Sequence, residues 1–526
     1  LFLGRERCNF GDCIHVSSKT LKTLLFITYY FPPSGGSGVQ RGVKFVRYLP
    51  EFGWKVIVLT VDPQYAAFPA LDETFAQELP PDLEIHRTKA FNPFDVYAKL
   101  RGKSKADTMT VGTLGEQRGW MAWLRANLFI PDARVGWNKY AIRKGLEIIK
   151  KEKIDAIFTT SPPHSTHLIG RALHRKTGIP WLADFRDPWT DISYYKELPH
   201  TPLARQLDAR LERSVLSEAT RITIVTPYYL DLMKQKVGKS GEVAKSLSRE
   251  SERDKFVLLR NGFDENDQTV VSEQLSIINE QLSVISEQQI ANSKQQIANS
   301  KNQEPENQEP QTSNQNKPQT SNQNKPQTSN QELATTNQKP QTRNFHISYV
   351  GSLFINPDGV WEALHELRSE MPELRVNLTG RIEAKVVESL KAHGLGDLLT
   401  LEPYLTHPEA ITRMQSADVL LLVIEDSPHT KGILTGKIYE YVATGRPILG
   451  VGPLGGDAAQ FLDEVQAGAL FAHNDTGGIK AFLRQRYASW KQGNAAPEDR
   501  SERLKPYTRR ALTEHLARIL DEMTTP

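Results

Sequence analysis

The sequence predicts an α/β protein built from two doubly wound parallel-sheet domains that face each other across a cleft. Three observations carry this expectation. Short apolar runs alternate with amphipathic helical stretches; the runs are apolar throughout instead of at every second residue; and the whole pattern occurs twice, on either side of a long polar interruption. A strand that is apolar on both faces needs cover on both, and a parallel sheet flanked by helices supplies it.

Residues 1–19 contain no apolar stretch between a basic start and a small-residue cleavage site, so they read as a loose leader and not as a signal peptide. In the first block the runs TLLFITYY (23–30), WKVIVLTV (54–61), DAIFTT (155–160), PWLADF (180–185), RITIVT (221–226) and KFVLLR (255–260) read as buried strands. Spans such as 39–52, 139–151, 165–176 and 203–218 repeat apolar residues at three and four and read as helices. Residues 20–264 are therefore expected to form one domain.

Residues 265–344 break the pattern, because QQIANSK occurs twice in succession from Gln288 and QTSNQNKP twice from Gln311. So polar a composition buries too little apolar surface to offset the entropy of ordering, and a disordered insertion between domains is expected. The Leu and Ile residues of SEQLSIINEQLSVISEQ, spaced by seven, leave a short coiled coil open there. Alternation resumes with FHISYVGS (345–352), LRVNLTGR (374–381), LLTLEPY (398–404), ADVLLLVIED (417–426), RPILGVG (446–452) and AGALF (467–471). That places a second domain at 345–495 and leaves 496–526 as a tail whose Leu512, Leu516, Ile519 and Leu520 suit a helix crossing back to the first domain.

Composition narrows the function classes. A formal charge of +3 over 526 residues, with no basic block interleaved with aromatics, does not suit a nucleic-acid groove. Both cysteines, Cys8 and Cys13, precede the folded body, which excludes a disulfide framework and suits a reducing, cytoplasmic setting. Only His15 stands near them, and no acidic metal-binding cluster is evident, so neither metal nor cofactor is expected. The longest strongly apolar run, VLLLVI at 419–424, is far shorter than the roughly 20 residues that span a bilayer.

The most informative stretch is GILTGKIYEYVATGRPILGVG, residues 432–452. Thr435 suits a helix N-cap, Gly445 and Pro447 mark its end, and Ile438, Tyr441 and Val442 form an apolar stripe. Lys437 then stands in the first turn, against the helix dipole, three residues before Glu440, and Lys before Glu is the less favourable order for a surface pair. A bound anion reverses that penalty, because helix amides and ammonium converge on it. Glu440, one turn deeper, is placed to accept hydrogen bonds from two sugar hydroxyls, so a diphosphate joined to a ribose meets both requirements.

With these motifs the sequence resembles the retaining, nucleotide-sugar-dependent glycosyltransferases of family four, which have the two-domain fold called GT-B. The likeness spans nearly all of 22–264 and 345–526, through GKIYEYVATGRPIL, RNGFDEND, YVGSLF, DFRDPW and FPPSGGSGVQR in that family's order and spacing. It implies that Glu440 holds the donor ribose and that Thr435, Gly436 and Lys437 contact the diphosphate. Many members carry an earlier glutamate eight positions before the second, where this chain has Gly432, which leaves the transferred sugar unassigned; a branch with a Lys-x-x-Glu motif is the nearer relative.

Other candidates follow from position. Gly36 and Gly38, with Gly35, let backbone approach a ligand after the first strand; their spacing with Gly42 departs from a dinucleotide fingerprint, and the resemblance implies donor-phosphate contact. His164 opens a helix at the cleft edge, as a capping or packing residue or as a functional one, and the resemblance implies a contact from this side to the donor sugar or acceptor. Asp184, Arg186 and Asp187 end a strand, either as a buried ion pair holding the loop or with Asp187 orienting the acceptor hydroxyl. Ser352 and Arg381 end neighbouring strands across the cleft, where a guanidinium clamps a diphosphate or stays solvated. Lys139, Lys144, Lys150, Lys151 and Lys153 make a basic helix face, solvated or resting on anionic lipid.

The expected activity is transfer of a sugar from a nucleoside diphosphate sugar to a hydroxyl of a glycan or lipid-linked glycan, in cell-surface polysaccharide or glycolipid synthesis, and the resemblance implies retention at the anomeric carbon. A nucleotide-sugar 2-epimerase and a non-catalytic glycan-binding or scaffold protein on the same fold are the alternatives.

Overall fold

A computed structural model describes residues 21–68, 71–91, 120–238, 255–267, 343–427 and 429–525. The leader and nearly all of the repeat segment lie outside the described residues. Seven strands form one sheet: β1 (Lys22–Ile27), β2 (Trp54–Val61), β3 (Glu84–Thr88), β4 (Ala156–Ser161), β5 (Trp181–Phe185), β6 (Arg221–Ile224) and β7 (Phe256–Leu258). Their order is β3-β2-β1-β4-β5-β6-β7, with every pairing parallel. Six more form the second: β8 (Phe345–Val350), β9 (Leu374–Thr379), β10 (Leu399–Glu402), β11 (Val419–Val423), β12 (Ile448–Val451) and β13 (Gly468–Phe471). Their order is β10-β9-β8-β11-β12-β13, again wholly parallel.

The helices of the first domain are α1 (Ser37–Tyr48), α2 (Trp120–Leu128), α3 (Asn138–Lys151), α4 (Ser165–Thr177), α5 (Pro202–Glu218) and α6 (Pro227–Gly238). Those that follow are α7 (Asp358–Leu367), α8 (Ala384–Ala392), α9 (His407–Gln415), α10 (Gly436–Ala443), α11 (Asp457–Glu464), α12 (Thr476–Lys491), α13 (Ser501–Leu504) and α14 (Arg509–Thr524).

Burial on both faces explains the continuous apolar runs. Along β1 and β2, Leu25, Ile27, Ile57 and Leu59 belong to one core, while Leu24, Phe26, Val56 and Val58 belong to another on the opposite face. The second sheet divides likewise, with Val419 and Leu421 on one side and Leu420 and Leu422 on the other. The edge strand β3 has no fully buried residue, and its EIHRT sequence carries one apolar residue, which is why the sequence reading omits it.

Each sheet reverses direction beside its first strand, between β1 and β4 and between β8 and β11. A crevice opens where strand order reverses, at the carboxyl ends, and that is where ligands settle in open α/β sheets. Two loops lie at these points: the glycine-rich turn after β1, and Gly351-Ser352 after β8.

Two segments join the domains. Phe263 N–H donates to Tyr507 O at 3.2 Å and Arg509 N–H to Phe263 O at 2.7 Å, so the outgoing and returning chains run side by side. Past that crossing, α14 places Leu512, Leu516, Ile519 and Leu520 in the core that holds Leu24, Phe26 and Val43 of the first domain. Lys22 fastens it from β1 with a 2.8 Å ion pair to Asp521.

Candidate functional site

The second-domain side of the cleft is built around the start of α10. Thr435 takes an extended N-cap conformation, yet its side chain makes no capping bond, and there is open space where a Cβ on Gly436 would stand. Within the first turn Ile438 N–H donates to Thr435 O at 3.2 Å, while no side chain caps the amides of Gly436 and Lys437. Lys437 folds back over the end of β8, where a Cβ on Gly351 would fall 2.8 Å from its Cε and Nζ; Gly351 also has a φ of +130°, so glycine is needed twice over.

Lys437 Nζ donates to the Tyr349 hydroxyl at 2.6 Å and lies 3.9 Å from the centroid of that ring. Tyr349 in turn donates to Ser352 O at 2.6 Å. Lys437 forms no ion pair with a carboxylate among the described residues, and burial pulls its pKa down to about 7, partly opposed by the charge of Glu440. A lysine so placed is a cation short of an anion. Ser352 is exposed. Arg381, also exposed, lies over Phe354 at 5.7 Å at the end of β9, without an ion-pair partner among the described residues.

On the first-domain side, Gly36 has a φ of +91° with nothing within 4 Å of where a Cβ would stand, so the start of α1 is equally open. The Arg186 guanidinium donates to Gly38 O at 2.6 Å, Ser161 O at 2.7 Å and Pro162 O at 3.0 Å, sewing together the loops after β1, β4 and β5. His164 precedes α4 without a capping bond, and its ring stacks on Trp189 at 5.0 Å and 12°. Burial holds it neutral, and its buried Nδ1 has no hydrogen-bond partner among the described residues. Trp189 is itself anchored by a 2.7 Å bond from its indole N–H to Asp208. Asp187 is partly exposed, and burial of its carboxyl raises its pKa against the pull of Arg186.

For Asp184 the structure shows the buried ion pair, with a different arginine as partner. Asp184 is 0% exposed, and both its oxygens are engaged by Arg41 at 3.1 and 2.8 Å, Thr160 at 2.7 Å and Thr223 at 2.8 Å. An enclosed carboxylate with four donors has no lone pair to offer a substrate, so it belongs to the frame. Its partner is Arg41 of α1 and not the nearby Arg186, which is committed to the three carbonyls above.

The two sides meet at His407, the first residue of α9. Its Nδ1 lies 3.2 Å from Gln40 Nε2 of α1 and 3.8 Å from Glu440 Oε1, and its Nε2 lies 3.2 Å from Asp267 Oδ2. Sequence reasoning missed His407, although the capping box of Thr406 and Glu409 marks a helix starting there. The three carboxylates Glu78, Asp264 and Asp267 come within metal-holding distance of one another, but Lys44 Nζ stands among them, 2.9 Å from both Asp264 and Asp267 and paired to Glu78 at 2.5 Å. An ammonium thus already fills the cationic position.

At Gly432, a Cβ would fall 2.5 Å from the ring of Tyr229, so the first domain's α6 occupies the space a longer side chain needs. On α3, Lys144 faces Glu147 at 3.7 Å, and Lys153, just beyond the helix, faces Asp155 at 3.6 Å, while Lys139 and Lys150 are exposed. No helix among the described residues is long and apolar enough to cross a membrane. A cavity of about 320 Å³ lies at the other end of α10, lined by Val442–Gly445 and the returning segment 497–501, away from Lys437.

A family model described as a glycosyl transferase 4-like domain matches residues 37–244. No curated protein matches the chain. Among solved structures, a glycosyltransferase from Rickettsia africae ESF-5 superposes with a TM-score of 0.51 at 13% identity, covering 96% of this chain and 98% of that one. Sucrose-phosphate synthase from Thermosynechococcus elongatus gives 0.52 at 14% identity, covering 95% and 98%. The N-terminal domain of Candida albicans trehalose-6-phosphate phosphatase gives 0.55 at 12%, covering 100% and 99%. These likenesses establish a shared fold of two parallel-sheet α/β domains, the GT-B arrangement.

Proposed function

We propose that this chain transfers a sugar from a nucleoside diphosphate sugar to a hydroxyl acceptor, with retention at the anomeric carbon, and that it needs no metal or cofactor. The observation that carries the reading is Lys437: a half-buried ammonium with no carboxylate partner among the described residues, at a helix start without a side-chain cap, one turn before Glu440. The glycosyl transfer model that matches residues 37–244 supports the class of reaction.

In this reading the donor diphosphate lies against the first turn of α10, with Thr435, Gly436 and Lys437 as contacts and Arg381 and Ser352 closing from the ends of β9 and β8. Negative charge grows on the diphosphate as the glycosidic bond breaks, so Lys437 and the helix amides stabilise the transition state more than the ground state. Glu440 accepts from the ribose hydroxyls. Gly36 and Gly38 bring the start of α1 to the phosphates from the other lobe, and lobe closure keeps water from the anomeric carbon. Asp187 and His164 lie on the acceptor side, where Asp187 orients the attacking hydroxyl; Arg186 acts by holding their loops. The acceptor is a glycan or lipid-linked glycan, reached from the cytoplasmic face of a membrane on which the α3 lysines rest.

Titration calorimetry with UDP, GDP and ADP and their sugars tests the reading. One nucleotide series binds the wild type, and Lys437→Met and Glu440→Ala each weaken it by about tenfold or more, as loss of a charge-assisted contact requires. If none of these ligands binds, the reading fails.

A further inference from the structure

The Glu440 carboxylate approaches, at 3.8 Å, an imidazole that also touches the first domain. His407 starts α9 in the second domain, yet three of its neighbours come from outside its own helix and converge on its two nitrogens. Nδ1 faces Gln40 of α1 at 3.2 Å and the Glu440 carboxylate at 3.8 Å. Nε2 faces Asp267 at 3.2 Å, and Asp267 is held to α1 by Lys44 at 2.9 Å. The ring also lies 5.8 Å from Phe75 of the first domain, and the side chain is only 14% exposed. A continuous chain of polar contacts therefore runs from Lys44 through Asp267 and His407 to Glu440.

We infer that His407 is a positioning residue for Glu440, coupling the hold on the donor ribose to the placement of the first domain against the second. This rests on the donor-site reading above. Asp267 accepts the Nε2 proton and so fixes the ring's orientation. With Nδ1 protonated, the ring donates toward Glu440 and aims the carboxylate; with Nδ1 bare, the Gln40 amide is its donor and Glu440 loses that support. Movement of α1 away from α9 takes Gln40, Lys44 and Asp267 with it and leaves the imidazole unheld.

The charged groups around the ring favour the protonated form. Asp267 and Glu440 raise its pKa above the usual histidine value, while burial and the Lys44 ammonium oppose them. Arg509, at the start of α14, lies in the field of the same carboxylates, Glu440, Asp264 and Asp267. Glu409, on the same turn of α9, is engaged with Thr406.

Two measurements test the coupling. In the first, protein labelled with ¹³C-histidine is titrated by NMR, and the signal missing from His407→Gln is followed. It titrates above the ordinary histidine value and moves down in Asp267→Asn; a signal that titrates normally, or is unmoved by Asp267→Asn, overturns the proposal. This measurement needs no ligand, so it decides the linkage even if no nucleotide binds, an outcome that would count against the donor-site reading alone.

In the second, calorimetry compares the nucleoside diphosphate that binds the wild type with inorganic pyrophosphate. His407→Gln weakens the nucleotide about tenfold and leaves pyrophosphate unchanged, because pyrophosphate engages Lys437 and has no ribose for Glu440. Equal losses for both ligands, or no loss for either, overturn the proposal. Gln40→Leu, which perturbs the same ring from the opposite lobe, is expected to show the same selectivity in weaker form and replaces His407→Gln if that variant does not fold.

Discussion

Lys437 costs the protein stability, and that cost has a definite pH dependence. Its folded pKa of about 7 lies below the value of 10.5 for an ordinary lysine, so between these limits the unfolded chain binds a proton that the folded chain does not. Stability then rises with pH across that window and gains nothing more from this group above it. The expected outcome is that the melting temperature of the wild type, taken relative to Lys437→Met, climbs between pH 7 and pH 10. Saturation with the nucleotide that binds restores the lysine's charge and flattens that difference; a difference that is flat without ligand contradicts the burial argument. The anomaly was legible in the sequence, because a lysine opposing a helix dipole three residues before a glutamate has no good local reason. Its partner was not: Tyr349 lies on β8, and only the packing of α10 over Gly351 brings that hydroxyl to 2.6 Å.

At the scale of elements, the end of β5 shows how strand register decides what a charged residue does. Thr160 on β4 is paired with Asp184, and Asp184 is paired with Thr223 on β6, so two hydroxyls flank the carboxylate on the same face of the sheet. Arg41 closes the cage from α1 and also donates to Leu259 O at 2.9 Å and Arg260 O at 2.7 Å, tying the strand end to the segment that leaves for the second domain. The sequence ADFRDPWTD displays its charges but not which of them points inward. A local guess pairs Asp184 with Arg186, whereas the register and α1 pair it with Arg41. Replacing Asp184 with Ala strands a buried guanidinium and two hydroxyls, and is expected to destabilise the protein by about 3–5 kcal/mol in denaturant unfolding. A cost below about 1 kcal/mol, the range of exposed pairs, would show that water reaches Arg41.

Over the whole molecule, periodicity revealed both doubly wound units, because each strand is buried on both faces and each helix presents one apolar stripe. How the units are joined depends on contacts between distant residues. Gln40 and His407, or Phe263 and Tyr507, are far apart in sequence and carry no pattern of their own. The return of the chain is the exception, since the apolar residues of α14 need a surface and the second sheet is already covered by its own helices. Leu516 is 0% exposed in the core it shares with Leu24, Phe26 and Val43, so the last helix of the chain completes the first domain. Leu516→Ala removes that packing at a cost of about 2–5 kcal/mol. The loss should appear where the helix sits and not where its sequence neighbours sit. Hydrogen exchange in this variant is expected to quicken in β1 and α1 while β8 and β9 keep their protection. Faster exchange confined to the second domain would mean that α14 is not part of the first domain's core, and the first domain would then have to fold without the chain's return.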